Sequence, residues 1–308
     1  MPLVSIILNV RNGAQTLREA INSVLAQTFL DWELIIWDDR STDGSAALVA
    51  GYRDARVRYF LSPEDVPLGR ARRDAIGQAS GEWVAFLDQD DIWLPRKLEK
   101  QVALIADGVG LIYGRTVRFY PSGLERDYDQ AHEYQPLPEG DIFTQLFTKS
   151  CFVAMSSAVF RRSAIEAVGG IPDEVRIIPD YYLYVAVTRK YRARAVQEAV
   201  CRYRMHQDNM SHVVALEMHR EVLWLIERWA GQLDPRTVAL SRKRHQTAIA
   251  LGEMRGKTVR QGFVRLCTEG SLGSQLVRPF AYVFHVVRRN LRRPYWRLPG
   301  DVIGAPHR

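Results

Sequence analysis

Two acidic clusters in this chain could do chemistry. Asp38-Asp39-Arg40-Ser41-Thr42-Asp43-Gly44 comes first, and Asp88-Gln89-Asp90-Asp91 follows. Each comes directly after an apolar run with strand character, Leu34-Ile35-Ile36-Trp37 and Trp83-Val84-Ala85-Phe86-Leu87. In an open α/β sheet the carboxyl ends of neighbouring parallel strands line the ligand crevice. Carboxylates delivered there suit a divalent cation that holds a phosphorylated ligand. Hard cations take oxygen ligands, and Mg²⁺ combines one or two carboxylates with substrate phosphates. The competing reading for Asp88 and Asp91 is capping of a helix that starts near Pro95. For Ser41 and Asp43, turn and cap chemistry is preferred.

The elements that must position these groups alternate. A strand is predicted over 4–8, and Thr16-Leu17-Arg18-Glu19 then has the form of a capping box. Leu17, Ala20, Ile21, Val24 and Leu25 repeat at helical spacing. Strands over 33–37, 57–61 and 83–87 alternate with helices over 45–53, 70–79 and 94–106. This order predicts an α/β fold with a mostly parallel sheet covered on both faces. Beyond Gly114 the pattern predicts a long loop over 120–140, a buried strand over 152–160 and a helix over 181–191. A helix over 213–229 follows, with Leu216, Leu223 and Ile226 in phase, and one or two more over 237–269.

Composition excludes several classes. With 308 residues, 47% hydrophobic and 25% charged, the chain is an ordinary folded protein rather than a disordered one. No apolar run is long enough for a spanning helix, and no basic leader precedes the first strand, so a secretory signal is not expected. Cys151, Cys201 and Cys267 lie far apart and in no metal-ligand spacing, which favours free thiols in a reducing compartment.

The N-terminal half resembles the family 2 glycosyltransferases, which have the GT-A fold. The match runs through Val4-Ser5-Ile6-Ile7-Leu8-Asn9-Val10-Arg11-Asn12-Gly13, Ser23-Val24-Leu25-Ala26-Gln27-Thr28-Phe29, the Asp38 to Gly44 block, Gly69 to Ala75, and Gly81 to Asp91. Phe160-Arg161-Arg162-Ser163, Val168-Gly169-Gly170, Pro179-Asp180-Tyr181 and Tyr203 to Ser211 continue it in the family's order. The resemblance implies a Rossmann-like catalytic domain over 1–211, with a nucleotide-sugar half over 1–114 and an acceptor half over 115–211. A helical extension over 212–308 completes the chain.

The implied activity is inverting transfer of a sugar from a nucleotide diphosphate donor, UDP-sugar being favoured. The acceptor is a hydroxyl of a glycan or lipid-linked glycan in surface polysaccharide synthesis. Asp90, with Asp88 as the other half of a DxD-like pair, is expected to hold Mn²⁺ or Mg²⁺ against the diphosphate. Asp39 falls at the base-reading position, with Asn9 and Arg11 lining the same pocket. The common form has Pro and Tyr near those two places, and a guanidinium plane can stack in place of the aromatic. Arg72 falls where the family has an arginine that reaches the nucleotide, Arg73 being the alternative, while Arg70 is expected on a solvated face. Asp180 is the candidate general base, at the second position of a Glu-Asp pair whose Glu is Pro179 here. N-capping of the following helix is its bland alternative. His206 is expected to complete the metal site or touch the diphosphate, and Arg204 to partner a phosphate. Trp32, Trp37, Trp93, Tyr181, Tyr182 and Tyr184 are read mostly as packing.

The end of the chain is basic. From Ser271 onward Arg278, Arg288, Arg289, Arg292, Arg293, Arg297 and Arg308 stand against one acid, Asp301, a net charge of +6. Phe280, Val283, Phe284 and Val287 repeat at helical spacing just before the arginine run. Such a helix can lie in the headgroup layer of an anionic membrane, which suits a cytoplasmic enzyme held peripherally at the inner face. No nucleic-acid module is visible, so nucleic acid is not an expected partner. Two rival readings are a scaffold subunit that kept the fold and lost turnover, and a sugar-phosphate nucleotidyltransferase. The latter should carry a Gly-rich basic loop after the first strand, which Asn9-Val10-Arg11-Asn12-Gly13 does not supply.

Overall fold

The computed structural model describes residues 1–120, 123–127, 136–148, 151–206 and 214–255. Strand β1 (Val4–Val10) is its centre, covered on both faces as a central parallel strand is. Val4, Ile6, Leu8 and Val10 enter one core with Leu17, Ala20, Ile21 and Val24 of α1 (Leu17–Leu25). Ile7 enters the opposite core with Ala71 and Ala75 of α3 (Leu68–Ile76). Each fully buried aliphatic side chain contributes about 1.5–3 kcal/mol. The period-2 alternation is therefore what fixes the two layers.

Strand β2 (Trp32–Asp38) pairs in parallel with β1, Val4 opposite Trp32 and Val10 opposite Asp38. Helix α2 (Ser45–Ala50) leads to β3 (Val57–Leu61) on the outer side of β2. After α3 the chain returns to the far side of β1 as β4 (Trp83–Phe86), also parallel. Strand order thus reverses between β1 and β4, the place where such sheets bind ligands beyond their carboxyl ends.

The remaining elements are β5 (Ile92–Trp93), α4 (Lys97–Val102), β6 (Val109–Phe119), β7 (Glu125–Asp127), α5 (Phe143–Thr148), β8 (Val159–Arg161), α6 (Arg162–Ala167), α7 (Pro179–Thr188), β9 (Arg192–Arg204), α8 (Ala215–Trp229) and α9 (Pro235–Arg255). Among the described residues the sheet order is β3-β2-β1-β4-β8-β6-β9-β5, with β7 pairing β6. Strand β8 is antiparallel to both β4 and β6, and β5 is antiparallel to β9. The sheet is therefore mixed α/β, parallel through β1–β4. Helix α7 is buried all round, from Tyr181 to Thr188, as expected of a helix with no polar face.

Several local expectations are corrected. Thr16 makes no side-chain cap, because its backbone is already αR (φ −116°, ψ −25°) and Glu19 turns instead to Arg204. The apolar run over 152–160 is not one strand: a 3₁₀ turn at Met155–Ser157 precedes β8. Helix α8 buries Val222, Leu225, Ile226 and Trp229 in the same core as α7, and the Trp229 ring stands 5.8 Å from that of Tyr182. The first compact unit runs from Met1 to Ser241 and includes this helix. Of the second unit, 242–308, the structure describes only residues up to 255. The basic tail, the helical repeat from Phe280 and Cys267 lie outside the described residues. No described helix is long and apolar enough to cross a membrane.

Candidate active site

The carboxyl ends of β1 and β2 bring a cluster of polar side chains together. Asn9 stands opposite Trp37 in the β1–β2 register, and its Nδ2 is buried without a hydrogen-bond partner. Asp39, 8% exposed, donates its backbone N–H to Val10 O at 2.8 Å. Its Oδ2 accepts from Arg11 Nη1 at 3.2 Å, while its Oδ1 is buried and unpartnered. Burial raises the Asp39 carboxyl above its ordinary value, against the pull of Arg11. Arg11 is held in turn by Asp65, which takes both Nη groups, one of them at 2.8 Å. An unpaired donor and an unpaired acceptor thus sit at adjacent strand ends. Each costs about 1–3 kcal/mol when left unmade, so a ligand edge with an N–H beside a C=O would fit.

The acidic loop after β4 is tied to this cluster by Gln89, whose Oε1 accepts from Arg11 N at 2.9 Å and whose Nε2 donates to Arg11 O at 3.2 Å. Asp88 accepts from Arg72 Nη2 at 2.6 Å, and its own N–H donates to Ser156 Oγ at 3.0 Å. Arg72 is the inward arginine, 5% exposed. Arg73 turns out to Asp173, and Arg70 pairs with Glu64 on the surface. The Asp88 carboxyl is raised, first by loss of solvent and then by the charges of Asp90 and Asp180, with Arg72 opposing.

Asp91, 1% exposed, accepts from Ser156 Oγ at 2.5 Å and from Arg204 N at 2.9 Å. Burial, then Asp90 and Asp88, push it well above the carboxylate range. Neither Asp88 nor Asp91 caps α4, whose N-cap Arg96 has no side-chain cap bond. Ser41 and Asp43 are turn and cap groups: Ser41 N donates to Asp38 Oδ1 at 2.7 Å and Ser45 N to Asp43 Oδ1 at 2.9 Å.

The pairing of β5 with β9 explains how residues more than a hundred apart meet. Ile92 lies opposite Arg202, so antiparallel continuation brings Asp90 beside the end of β9. Arg204 Nε donates to Asp90 O at 2.7 Å, and His206 Nε2 lies 2.7 Å from Asp90 Oδ2. The Arg204 guanidinium also binds Glu19 at 2.9 Å and lies over the Phe119 ring at 4.5 Å. It braces the acidic loop, a use the sequence did not indicate.

Among the described residues no group of three or more His, Cys, Asp or Glu is disposed to hold a metal. Asp90 and His206 nevertheless offer one carboxylate oxygen and one imidazole nitrogen at a single point, with Asp88 near. Such a donor set fits Mn²⁺ or Mg²⁺ whose other positions are filled by phosphate and water.

Asp180 is half-buried in the first turn of α7, where Pro179 suits the opening helical position. Its charge raises Asp88, and it adds to the burial that pushes Cys151 up to about 12. It therefore acts on the same cluster as Arg72 and Asp88. Trp32, Trp37, Trp93, Tyr181, Tyr182 and Tyr184 are all buried as packing. The sequence does not mark Asp65, Gln89, Ser156 or Glu19 as site residues, Glu19 being read only as part of a capping box. Only Gln89, inside the acidic cluster, carried a signal that could have marked it.

The family model for Glycosyl transferase family 2 matches residues 5–169. The chain is 28% identical over 224 residues to UDP-Glc:alpha-D-GlcNAc-diphosphoundecaprenol beta-1,3-glucosyltransferase WfgD of Escherichia coli, covering 71% of this chain and 83% of that protein. Two solved structures share the fold. The mannosyltransferase PcManGT from Pyrobaculum calidifontis, in complex with GDP-Man and Mn²⁺, has a TM-score of 0.61 and 19% identity, over 94% of this chain and 85% of that one. S. aureus TarS 1-349, in complex with UDP-GlcNAc, has a TM-score of 0.59 and 16% identity, over 94% and 79%.

Proposed function

Since the chain belongs to glycosyl transferase family 2 and is a glycosyltransferase, we propose that it moves a sugar from UDP, with inversion, to a hydroxyl of a lipid-linked glycan. The observation that carries this reading is the acidic loop after β4, where Arg72 pairs with Asp88 at 2.6 Å and His206 meets Asp90 at 2.7 Å, with the charge of Asp180 acting on Asp88. The lipid-linked acceptor is supported by the substrates named for the E. coli relative.

In this reading Asp39 Oδ1 accepts the ring N–H of uracil and Asn9 Nδ2 donates to the neighbouring carbonyl. Both buried atoms then gain the partners they lack. Arg11, fixed by Asp65, flanks the base as a planar cation. Asp90 and His206 would hold a divalent cation, which supplies neutralisation of the charge that grows on the departing diphosphate. Arg72 keeps Asp88 compensated beside it. Asp180 accepts the proton of the acceptor hydroxyl as that oxygen bonds to the anomeric carbon. The bond from the anomeric carbon to the diphosphate oxygen breaks on the opposite face, and UDP leaves with that electron pair.

The test is a thermal-shift panel of nucleoside diphosphates with and without Mn²⁺, because a ligand stabilises the fold in proportion to its occupancy. UDP is expected to give a shift that Mn²⁺ enlarges. Asp90→Ala should abolish the enlargement. Asp180→Asn should keep it while lowering turnover about 10²–10⁴-fold. A UDP shift indifferent to Asp90 would remove the metal assignment.

A further inference from the structure

The segment that enters α7 is gripped from two sides. Gly69, near the start of α3, donates its N–H to Arg176 O at 3.2 Å. A Cβ at Gly69 would stand 1.8 Å from Val175 O, so the backbones approach more closely than any side chain permits. From the other side Glu221 of α8 reaches across. Its carboxylate accepts from three consecutive amides: Arg176 N at 3.1 Å, Ile177 N at 3.1 and 3.0 Å, and Ile178 N at 3.1 Å. Successive backbone N–H groups of this kind form an anion-binding concavity, and bonds to an ionised acceptor are the stronger sort.

Pro179 and Asp180 follow at once. The proline ring fixes its own φ, which leaves little slack between the gripped amides and the Asp180 carboxylate. Helix α3, on the other side of the grip, carries Arg72, the partner of Asp88. One short segment thus sets the distance between the acceptor-side acid and the arginine–carboxylate pair. An apolar residue at 221 would leave three adjacent N–H groups unpaired, and the segment would have to turn to find water.

We propose that Glu221 is a positioning residue for Asp180. By holding amides 176–178, it fixes the entry of α7 so that the Asp180 carboxylate faces the acceptor. This rests on the reading of Asp180 as the base. It makes α8 a working part of the catalytic unit rather than an appendage.

The experiment uses the full chain with UDP-glucose and Mn²⁺ as donor probe and a GlcNAc-diphospho-lipid as acceptor probe. Glu221→Ala is expected to lower kcat about 10- to 100-fold, the scale of a small misplacement of a catalytic group. KM for UDP-glucose and the UDP–Mn²⁺ thermal shift should stay near wild type, and Glu221→Asp should recover part of the rate. Amide hydrogen exchange at 176–178 should speed up in Glu221→Ala. A wild-type kcat, a loss of nucleotide affinity in step with the rate, or unchanged amide protection each overturns the proposal, and the last is read without turnover. Wild-type turnover by Asp180→Asn would instead overturn the base assignment, whatever Glu221 does.

Discussion

Asp39 divides its two oxygens. Oδ2 is occupied by Arg11, while Oδ1 is buried with no hydrogen-bond partner among the described residues. Arg11 therefore both orients the carboxylate and opposes the burial that would protonate it. Asp39→Asn keeps the shape but can present an N–H to the ring N–H of uracil, and it removes one of the two ionic partners of Arg11. A hydrogen bond to a charged group contributes about 1.5–3 kcal/mol, so UDP affinity measured by titration calorimetry should fall about 10- to 100-fold. A change of less than twofold would take Asp39 out of the base pocket. At this scale the placement of Asp39, Asp88 and Asp90 just beyond strand ends was legible, because residue type and an apolar run before it carry that information. Asp65, Ser156 and Glu221 were not legible, because their partners lie 54, 65 and 43–45 residues away and only the fold brings them together.

Single side chains also tie whole elements. Glu33 on β2 accepts from Ser5 Oγ of β1 at 2.7 Å, from Arg58 Nη1 of β3 at 2.6 Å, and from Ser80 N and Oγ, just ahead of β4, at 2.8 and 2.6 Å. Burial alone would raise its pKa, but the bonds from Ser80, Ser5 and Arg58 outweigh it and hold it at about 2. A depressed folded pKa contributes stability that is fully present above the ordinary value of 4.5 and fades as pH falls through about 2. The contribution is up to about 3 kcal/mol. Urea unfolding at pH 6 and pH 3 should show wild type losing more stability than Glu33→Gln over that interval, and equal losses would show that Glu33 does not tie the strands. Strands β1 to β4 were readable because apolar alternation and covered faces leave little choice. The capping box does not form because Thr16 N already donates to Gly13 O at 3.0 Å, which leaves Glu19 to pair with Arg204 across the fold. The 152–160 run was misread because apolar character marks burial without marking conformation.

For the whole molecule, the boundary between units decides what can be removed. A chain ending at 211 would lose the buried Val222, Leu225, Ile226 and Trp229. At about 1.5–3 kcal/mol each, that loss is comparable with the entire stability of a typical domain. We expect 1–211 to show no cooperative thermal transition by circular dichroism, and 1–255 to melt cooperatively and keep its UDP–Mn²⁺ shift. The same pair of lengths tests the basic tail. The full chain should co-sediment with phosphatidylglycerol vesicles and be released by salt, whereas 1–255 should stay in solution, since seven arginines against one acid lie beyond Ser271. Equal sedimentation of the two would end the membrane assignment.

The order of strands has one more consequence. The residues proposed to grip the nucleotide base follow the parallel strands of the first third of the chain, whereas the acid proposed to face the acceptor arrives on α7, after the antiparallel insertion of β8. On the proposed reading, exchanging one recipient molecule for another requires no rebuilding of the base-reading floor, so a change of product need not change the donor.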